Sequence, residues 1–350
     1  MVDLFPYLFI YPKSKTILTP VASASGDFFC FFSASHVTHL CMENLRDIMM
    51  NATQRLQTAG VYSPEADAAI IISAVLQTTR ENLKDRLNET VVPDLRNKIE
   101  HAVMQREQRV PIARIFGRTQ FRGINIGTGD GVFEPCVETE TLIEHLHIVL
   151  EKNKAPHKGT LRILDIGTGT GCLLLSALNE IPHSTGVGVD IAPAAVELAK
   201  ENAAACGVGV RAEFRISNWI DNVSETYDII LCNPPFVPSD LIATLVPEVK
   251  SHDPKASLDG GKDGLRYYRQ LTDDFLRVSH EGSIGIFHVS MTFIEQVKRI
   301  FKNAGYDDVE ICRNYYGIPM GLIVMRDSYV ESPNILERFV GYFTNKRANS

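Results

Sequence analysis

The chain has 350 residues, 45% hydrophobic and 22% charged, enough for one large core and a smaller satellite domain. Its 35 Lys plus Arg against 42 Asp plus Glu leave a net charge of -7, which weighs against a protein whose affinity comes from neutralising many phosphates. Seven cysteines without a CxxC pair and ten histidines without an HExxH motif carry the signature of neither a disulfide framework nor a zinc site. No metal is expected, and a reducing compartment is: the cytoplasm, or the mitochondrion in a eukaryote.

Residues 1–41 are rich in aromatics, with Asp3, Lys13, Lys15 and Asp27 as their only charges. No apolar run there reaches the roughly 20 residues of a membrane span. An acid before the first lysine disfavours a secretory signal, and the absence of Arg disfavours a mitochondrial presequence. The segment reads as a non-functional extension ahead of a start at Met42. From Asn44, the apolar positions Leu45, Ile48, Met49, Ala52 and Leu56 repeat at helical spacing, with Gly60 placed to stop the helix. Ser63-Pro64-Glu65 reads as N-cap, N1 proline and first-turn acid of a second helix. Pro93 with Leu95, Ile99, Ala102 and Val103 gives another, ending by Val110-Pro111. Residues 42–110 are therefore a small helical domain. Residues 111–135, rich in glycine and short alternations, are read as a linker with a β-hairpin.

Strand and helix signals then alternate. The candidate strands are 162–166, 186–190, 212–216, 227–232, 283–289, 309–312 and 321–325. Short apolar strands separated by helices are the sequence form of an α/β, doubly wound, mostly parallel sheet. Only "RNYYGIPM" separates the last two strands, too little for a crossover, so they should form an antiparallel hairpin. Residues 136–330 make this second domain, and 331–350 a tail.

"ILDIGTGTGCLLL" places Asp165 at a strand end and Gly167, Thr168, Gly169, Thr170 and Gly171 in the turn before a helix. Glycines let such a turn bend sharply and approach a ligand, and the helix N-terminus adds amide donors. The spacing GxGxG departs from the GxGxxG of dinucleotide enzymes. Asp190 ends the next strand, where a carboxylate can accept from both hydroxyls of a ribose or can serve the helix opened by Pro193. Trp219, the single tryptophan, can stack on a purine or simply pack.

The fourth strand runs into Asn233-Pro234-Pro235-Phe236. Two prolines fix φ and remove amide hydrogens, so this segment is stiff and presents carbonyl oxygens. The Asn233 side-chain oxygen and the Pro234 carbonyl can accept both hydrogens of a planar NH2 group, with Phe236 as a flat apolar wall. Such a corner suits methylation of an amide or aromatic amine, whose delocalised lone pair attacks poorly unless held in line.

These motifs, with "PIARIFGRTQFRG", "VFEPCVETETLIE", "VGVDIAPAAVELAKENA" and "DPKASLDGGKDGLRYYRQL" in the same order, resemble the HemK/PrmC family of protein-(glutamine-N5) methyltransferases over residues 42 to about 325. The resemblance implies a Rossmann-like seven-stranded methyltransferase sheet behind a helical domain, S-adenosyl-L-methionine as cofactor, and the glutamine of the Gly-Gly-Gln loop of peptide chain release factors as acceptor. It implies cofactor contacts from Gly167–Gly171, Asp190, Trp219 and Asn233, and an acceptor site at Asn233–Phe236. A monomer acting on a protein, with no membrane and no nucleic-acid partner, is expected. Several positions depart from the family pattern. Cys136 and Val137 stand where Pro-Arg-Pro-Asp/Glu-Thr-Glu has Arg-Pro, Asn218 replaces Asp, Phe287 a Glu, Val289 a Gly, Met320 an Arg, and Phe236 the commoner Tyr. The alternative they suggest is a diverged N-methyltransferase acting on another amide, amine or guanidine of a small molecule, or on a nucleobase amine.

Overall fold

The Asn44 side chain accepts a hydrogen bond from the Asp47 amide at 2.9 Å and so caps the first helix of the computed structural model, which describes residues 43–152 and 159–326. The readings of 1–41 as an extension and 331–350 as a tail fall outside the described residues. The described chain divides into two units, one ending at Gln108 and the other starting at Arg109.

The first unit holds α1 (Leu45–Thr58), α2 (Pro64–Val75), the single turn α3 (Arg80–Leu83) and α4 (Pro93–Glu107). Proline at N1 starts both α2 and α4, since its missing amide hydrogen would have no partner there. The expected Ser63 cap differs in detail: Ser63 occupies the N-cap, but its side chain makes no capping bond. Leu45, Leu56, Ile71, Ile72, Ile99 and Val103 form the core. Across it, the buried Arg106 pairs with the partly buried Asp67 at 2.7 Å.

The second unit opens with α5 (Ile112–Phe116) and the antiparallel pair β1 (Arg118–Phe121) and β2 (Ile124–Gly127). Their two-residue turn, Arg122-Gly123, takes φ of +48° and +78°, the left-handed geometry that matches the twist of paired strands. The remaining elements, α6 (Val137–Lys152), β3 (Leu161–Ile166), α7 (Cys172–Glu180), β4 (Ser184–Asp190), α8 (Pro193–Ala205), β5 (Ala212–Ile216), β6 (Tyr227–Cys232), α9 (Pro247–His252), α10 (Arg266–Val278), β7 (Ser279–His288), α11 (Ile294–Asn303), β8 (Val309–Arg313) and β9 (Pro319–Met325), build the main body. Seven strands lie in the order β5-β4-β3-β6-β7-β9-β8; the first five are mutually parallel, and β9 runs antiparallel to both β7 and β8.

Successive strand residues alternate between two cores. Ile163, Leu231 and Ile286 join α6, α7 and α8 on one face; Leu164, Ile230 and Phe287 join α10 and α11 on the other. Gly186 in β4 lets α7 sit close, because a Cβ there would lie 2.3 Å from Leu174 Cδ1. After β3 the chain winds to β4 and β5, then returns to the other side of β3 as β6. The crevice between the carboxyl ends of β3 and β6 is thus the topological switch point, where open α/β sheets bind ligands.

Candidate active site

The strand register assembles the site. Ile166 of β3 pairs with Val189 of β4 and with Cys232 of β6, and Cys232 pairs with Phe287 of β7. One step further along each strand therefore come Gly167, Asp190, Asn233 and His288, side by side at one edge of the sheet.

Gly167, Gly169 and Gly171 have φ of +71°, +54° and +81°, conformations that other residues adopt only with strain. Nothing lies within 4 Å of a Cβ built at Gly167 or Gly169, so the turn borders open space. The Asp190 carboxylate holds it from β4: Oδ2 accepts from the Gly169 amide and Oδ1 from the Ala192 amide, both at 2.9 Å. Asp190 is thus not the cap of α8, whose N-cap is Ala192. It hooks the glycine turn to the start of that helix, and each oxygen keeps a lone pair for a further donor.

Thr168 and Thr170 are buried side chains. The Thr168 hydroxyl donates to Asp165 Oδ2 at 2.7 Å, so Asp165 shapes the turn from beneath. Burial is the main cause that pushes the Asp165 carboxyl up to about 7, with Thr168 opposing it. The Leu174 amide of α7 opposes burial as well, and Oδ1 closes no hydrogen bond of normal geometry among the described residues. Trp219 takes φ +58° and stacks on Tyr267 of α10, ring centroids 4.9 Å apart and planes 23° from parallel. One face of its indole is therefore held by protein.

At the end of β6, the Asn233 amide makes no side-chain hydrogen bond to a described residue, and the Pro234 and Pro235 carbonyls take none from a described donor. The corner is fixed from behind by the loop preceding α10. The Val237 amide donates to the Leu258 carbonyl and the Gly260 amide to the Val237 carbonyl, both at 2.8 Å. A Cβ at Gly260 would lie 2.7 Å from Phe236 Cα, and one at Gly264, where φ is +74°, 2.5 Å from the Phe236 carbonyl oxygen. Gly264→Ala is expected to destabilise the protein by about 2 kcal/mol and to lower turnover at this site about tenfold or more, by pushing the corner out of place. Thermal melts and initial rates check this.

Two arginines clamp the loop that follows. Arg109 pairs with Glu248 through two bonds of 2.7 Å, and Arg114 reaches Asp253 at 3.1 Å as well as the Val132 carbonyl at 2.9 Å. Asp253 is almost fully buried. Burial pushes its carboxyl up, with Arg114 opposing.

The departures from the family pattern fall in different places. Phe287 faces the second core, stacked on Phe301 at 5.5 Å and edge-on to Phe275 at 5.8 Å, so this position points away from the crevice. Cys136 starts α6: its carbonyl accepts from the Thr139 hydroxyl at 2.6 Å, and its thiol is pushed up to about 12 by burial. His288, the last residue of β7, is buried, and neither ring nitrogen has a hydrogen-bond partner among the described residues. Among the described residues no cluster of His, Cys, Asp and Glu is suited to a metal, and no helix is long and apolar enough to cross a membrane.

A glycine cradle over β3, an acid at the end of β4 and a two-proline corner at the end of β6, on this strand order, define a class I S-adenosylmethionine-dependent methyltransferase. The Methyltransferase small domain matches residues 136–248, and the PrmC N-terminal domain residues 47–117. The chain is 36% identical over 270 residues to the release factor glutamine methyltransferase of Agrobacterium fabrum (strain C58), covering 77% of this chain and 93% of that protein. Against the protein of the same name from Caulobacter vibrioides the identity is 31% over 265 residues, 75% of this chain and 90% of the other. Against that from Rhodospirillum rubrum it is 40% over 217 residues, 62% and 65%. Among solved structures, a methyltransferase from Pyrococcus furiosus aligns with 58% of this chain and 88% of its own at 18% identity, with a TM-score of 0.42. The chain belongs to the release factor glutamine methyltransferase family, HemK/PrmC. None of the three relatives is named for a small-molecule or nucleobase acceptor, and the diverged readings are not favoured.

Proposed function

We propose that this chain methylates the side-chain amide of the glutamine in the Gly-Gly-Gln loop of peptide chain release factors, acting as a single chain with S-adenosylmethionine as methyl donor. The observation that carries the reading is the corner at Asn233–Phe236, rigid and with its acceptors free, one register step from the glycine cradle. The cradle fits the donor: Gly167 and Gly169 border open space, and Asp190 keeps lone pairs at the end of β4. When bound, the donor supplies an electrophilic sulfonium methyl group.

The protein's own part is positioning. Asn233 Oδ1 and the Pro234 carbonyl accept the two N–H bonds of the amide, fixing its plane so that the nitrogen lone pair points toward the cradle. These acceptors strengthen as the N–H bonds become more acidic in the transition state, which draws the nitrogen toward tetrahedral geometry. Phe236 closes one side of the crevice to water. No strong base is needed, because the proton is lost from a nitrogen that carries positive charge once methylated.

The test offers purified full-length protein a tritium-labelled methyl donor with release factor, with a variant whose loop glutamine is alanine, with tRNA, and with small-metabolite extract. Label is expected on the release factor alone, and lost with the Gln→Ala change. Label that survives that change, or appears on RNA instead, ends the proposal.

A further inference from the structure

The chain carries a net charge of -7, yet one cleft beside the acceptor corner is lined by cations. Gly261, Lys262, Asp263, Arg266 and Arg269 line about 650 Å3 at the start of α10, room for a side chain or a short stretch of peptide. The place of this cleft is fixed by contacts with the corner. Gly260 and Gly264, on either side of the Gly261–Asp263 stretch, are the two glycines pressed against Phe236, and the Ser239 amide donates to the Gly261 carbonyl at 3.0 Å. A group held in the cleft therefore lies alongside the Asn233–Phe236 segment.

The cations are exposed and not balanced from within. Lys262 and Arg266 make no ion pair with a described residue. The Arg266 guanidinium rests over the Tyr267 ring, 5.3 Å from its centroid, so its aim is set without a carboxylate. Asp263 is taken: it accepts from the Leu265 amide at 3.1 Å and pairs through both oxygens with Arg269. The neighbouring Asp259 is turned to the Ser239 hydroxyl at 2.6 Å and the Gly261 amide at 3.0 Å, which hold its carboxyl below the usual range, with Arg266 contributing least. A cleft lined by one sign of charge focuses its field and draws in groups of the other sign.

We propose that this cleft docks an acidic segment of the release factor, its Asp or Glu carboxylates held by Lys262 and Arg266 while the loop glutamine enters the corner. The proposal rests on the reading above that a release factor is the acceptor. Two of the three residues in Gly-Gly-Gln have no side chain, so the corner alone meets the same group in any exposed glutamine, and selection of the partner has to come from contacts outside it. Guanidinium and ammonium donors form their strongest hydrogen bonds with carboxylates. Nucleic acid fits less well, because its affinity is built from phosphates met one after another, and here the cations form a single cluster on a chain of net negative charge. That overall charge repels an acidic partner elsewhere, so the cleft sets its orientation as well as its affinity.

The test measures kcat and KM on intact release factor, at low and at high salt, for full-length wild type, Lys262→Arg, Lys262→Glu and the Lys262→Glu, Arg266→Gln double variant, with dissociation of the methyl donor alongside. At low salt Lys262→Glu should raise KM about fivefold and the double variant about 20-fold, with kcat and donor affinity within about twofold of wild type. Lys262→Arg keeps the charge and should match wild type. Salt should raise the wild-type KM toward that of the double variant, whose own KM should barely move. A wild-type KM in the double variant at low salt overturns the proposal and leaves the parent reading intact; if that variant has also lost binding of tRNA, the cleft belongs to nucleic acid. A rise in KM that salt does not level, or a matching loss of donor affinity passed through Tyr267 to Trp219, marks a packing effect and overturns it too. Absence of label on release factor with the wild-type protein removes both readings together.

Discussion

Asn233→Ala is expected to lower methyl transfer to release factor by about 100- to 10,000-fold while shifting the dissociation constant of S-adenosylmethionine no more than about fivefold. The large effect follows from what the side chain does when substrate is present. An amide nitrogen is a poor nucleophile because its lone pair is delocalised, so a site that cannot hold the amide in line leaves most of the barrier standing. Asn233 supplies one of two acceptors, and the other, the Pro234 carbonyl, cannot by itself fix the amide plane. The small effect on the donor follows from the register: the glycine turn is held by Asp190 and Asp165 from β4 and β3, and neither contact passes through β6. Calorimetric titration of the donor and single-turnover kinetics with release factor separate the two quantities. Equal losses in both would make Asn233 a donor-binding residue rather than an acceptor clamp.

Much of this architecture is legible in the chain because each parallel strand is a short apolar run bounded by turn residues. β5 and β6 begin and end where the apolar pattern does. β7 is the instructive exception. It starts at Ser279, four residues before the apolar run, because Ser279 pairs with Tyr227 ahead of a register shift, and the polar stretch Ser279–Gly282 carries no strand periodicity. α5 was hidden for a different reason: five residues are too few to show a helical period. In the site, local motifs announced the glycine turn and the two-proline corner. What local sequence could not announce were contacts made across long separations, such as Arg114 with Asp253, 139 residues apart, or Trp219 against Tyr267. A buried ion pair and an exposed loop charge have the same one-dimensional signature, and only the fold distinguishes them.

Asp190→Ala should produce the opposite split from Asn233→Ala: affinity for S-adenosylmethionine falling about 100-fold or more, with turnover at saturating donor reduced far less. Both carboxylate oxygens accept backbone amides, one from Gly169 and one from Ala192, so removing them unhooks the glycine turn and leaves two amides without their acceptor. Thermal stability should drop as well, by about 1–3 kcal/mol. Asp190→Asn should serve poorly as a substitute. It keeps one acceptor, but its NH2 group would face an N–H donor, and amide meeting amide is repulsive. The acceptor corner remains intact in either variant, which is why enough donor should recover turnover. β4 and β6 lie on opposite sides of β3, so the two side chains stand roughly 10 Å apart, two strand spacings. At that distance, without a shared partner, their effects should be independent, and the losses in kcat/KM of the Asn233→Ala, Asp190→Ala double variant should multiply. A double variant much more active than the product would mean that the cradle and the corner move as one body, and that holding the methyl donor and holding the amide are a single event at this edge of the sheet.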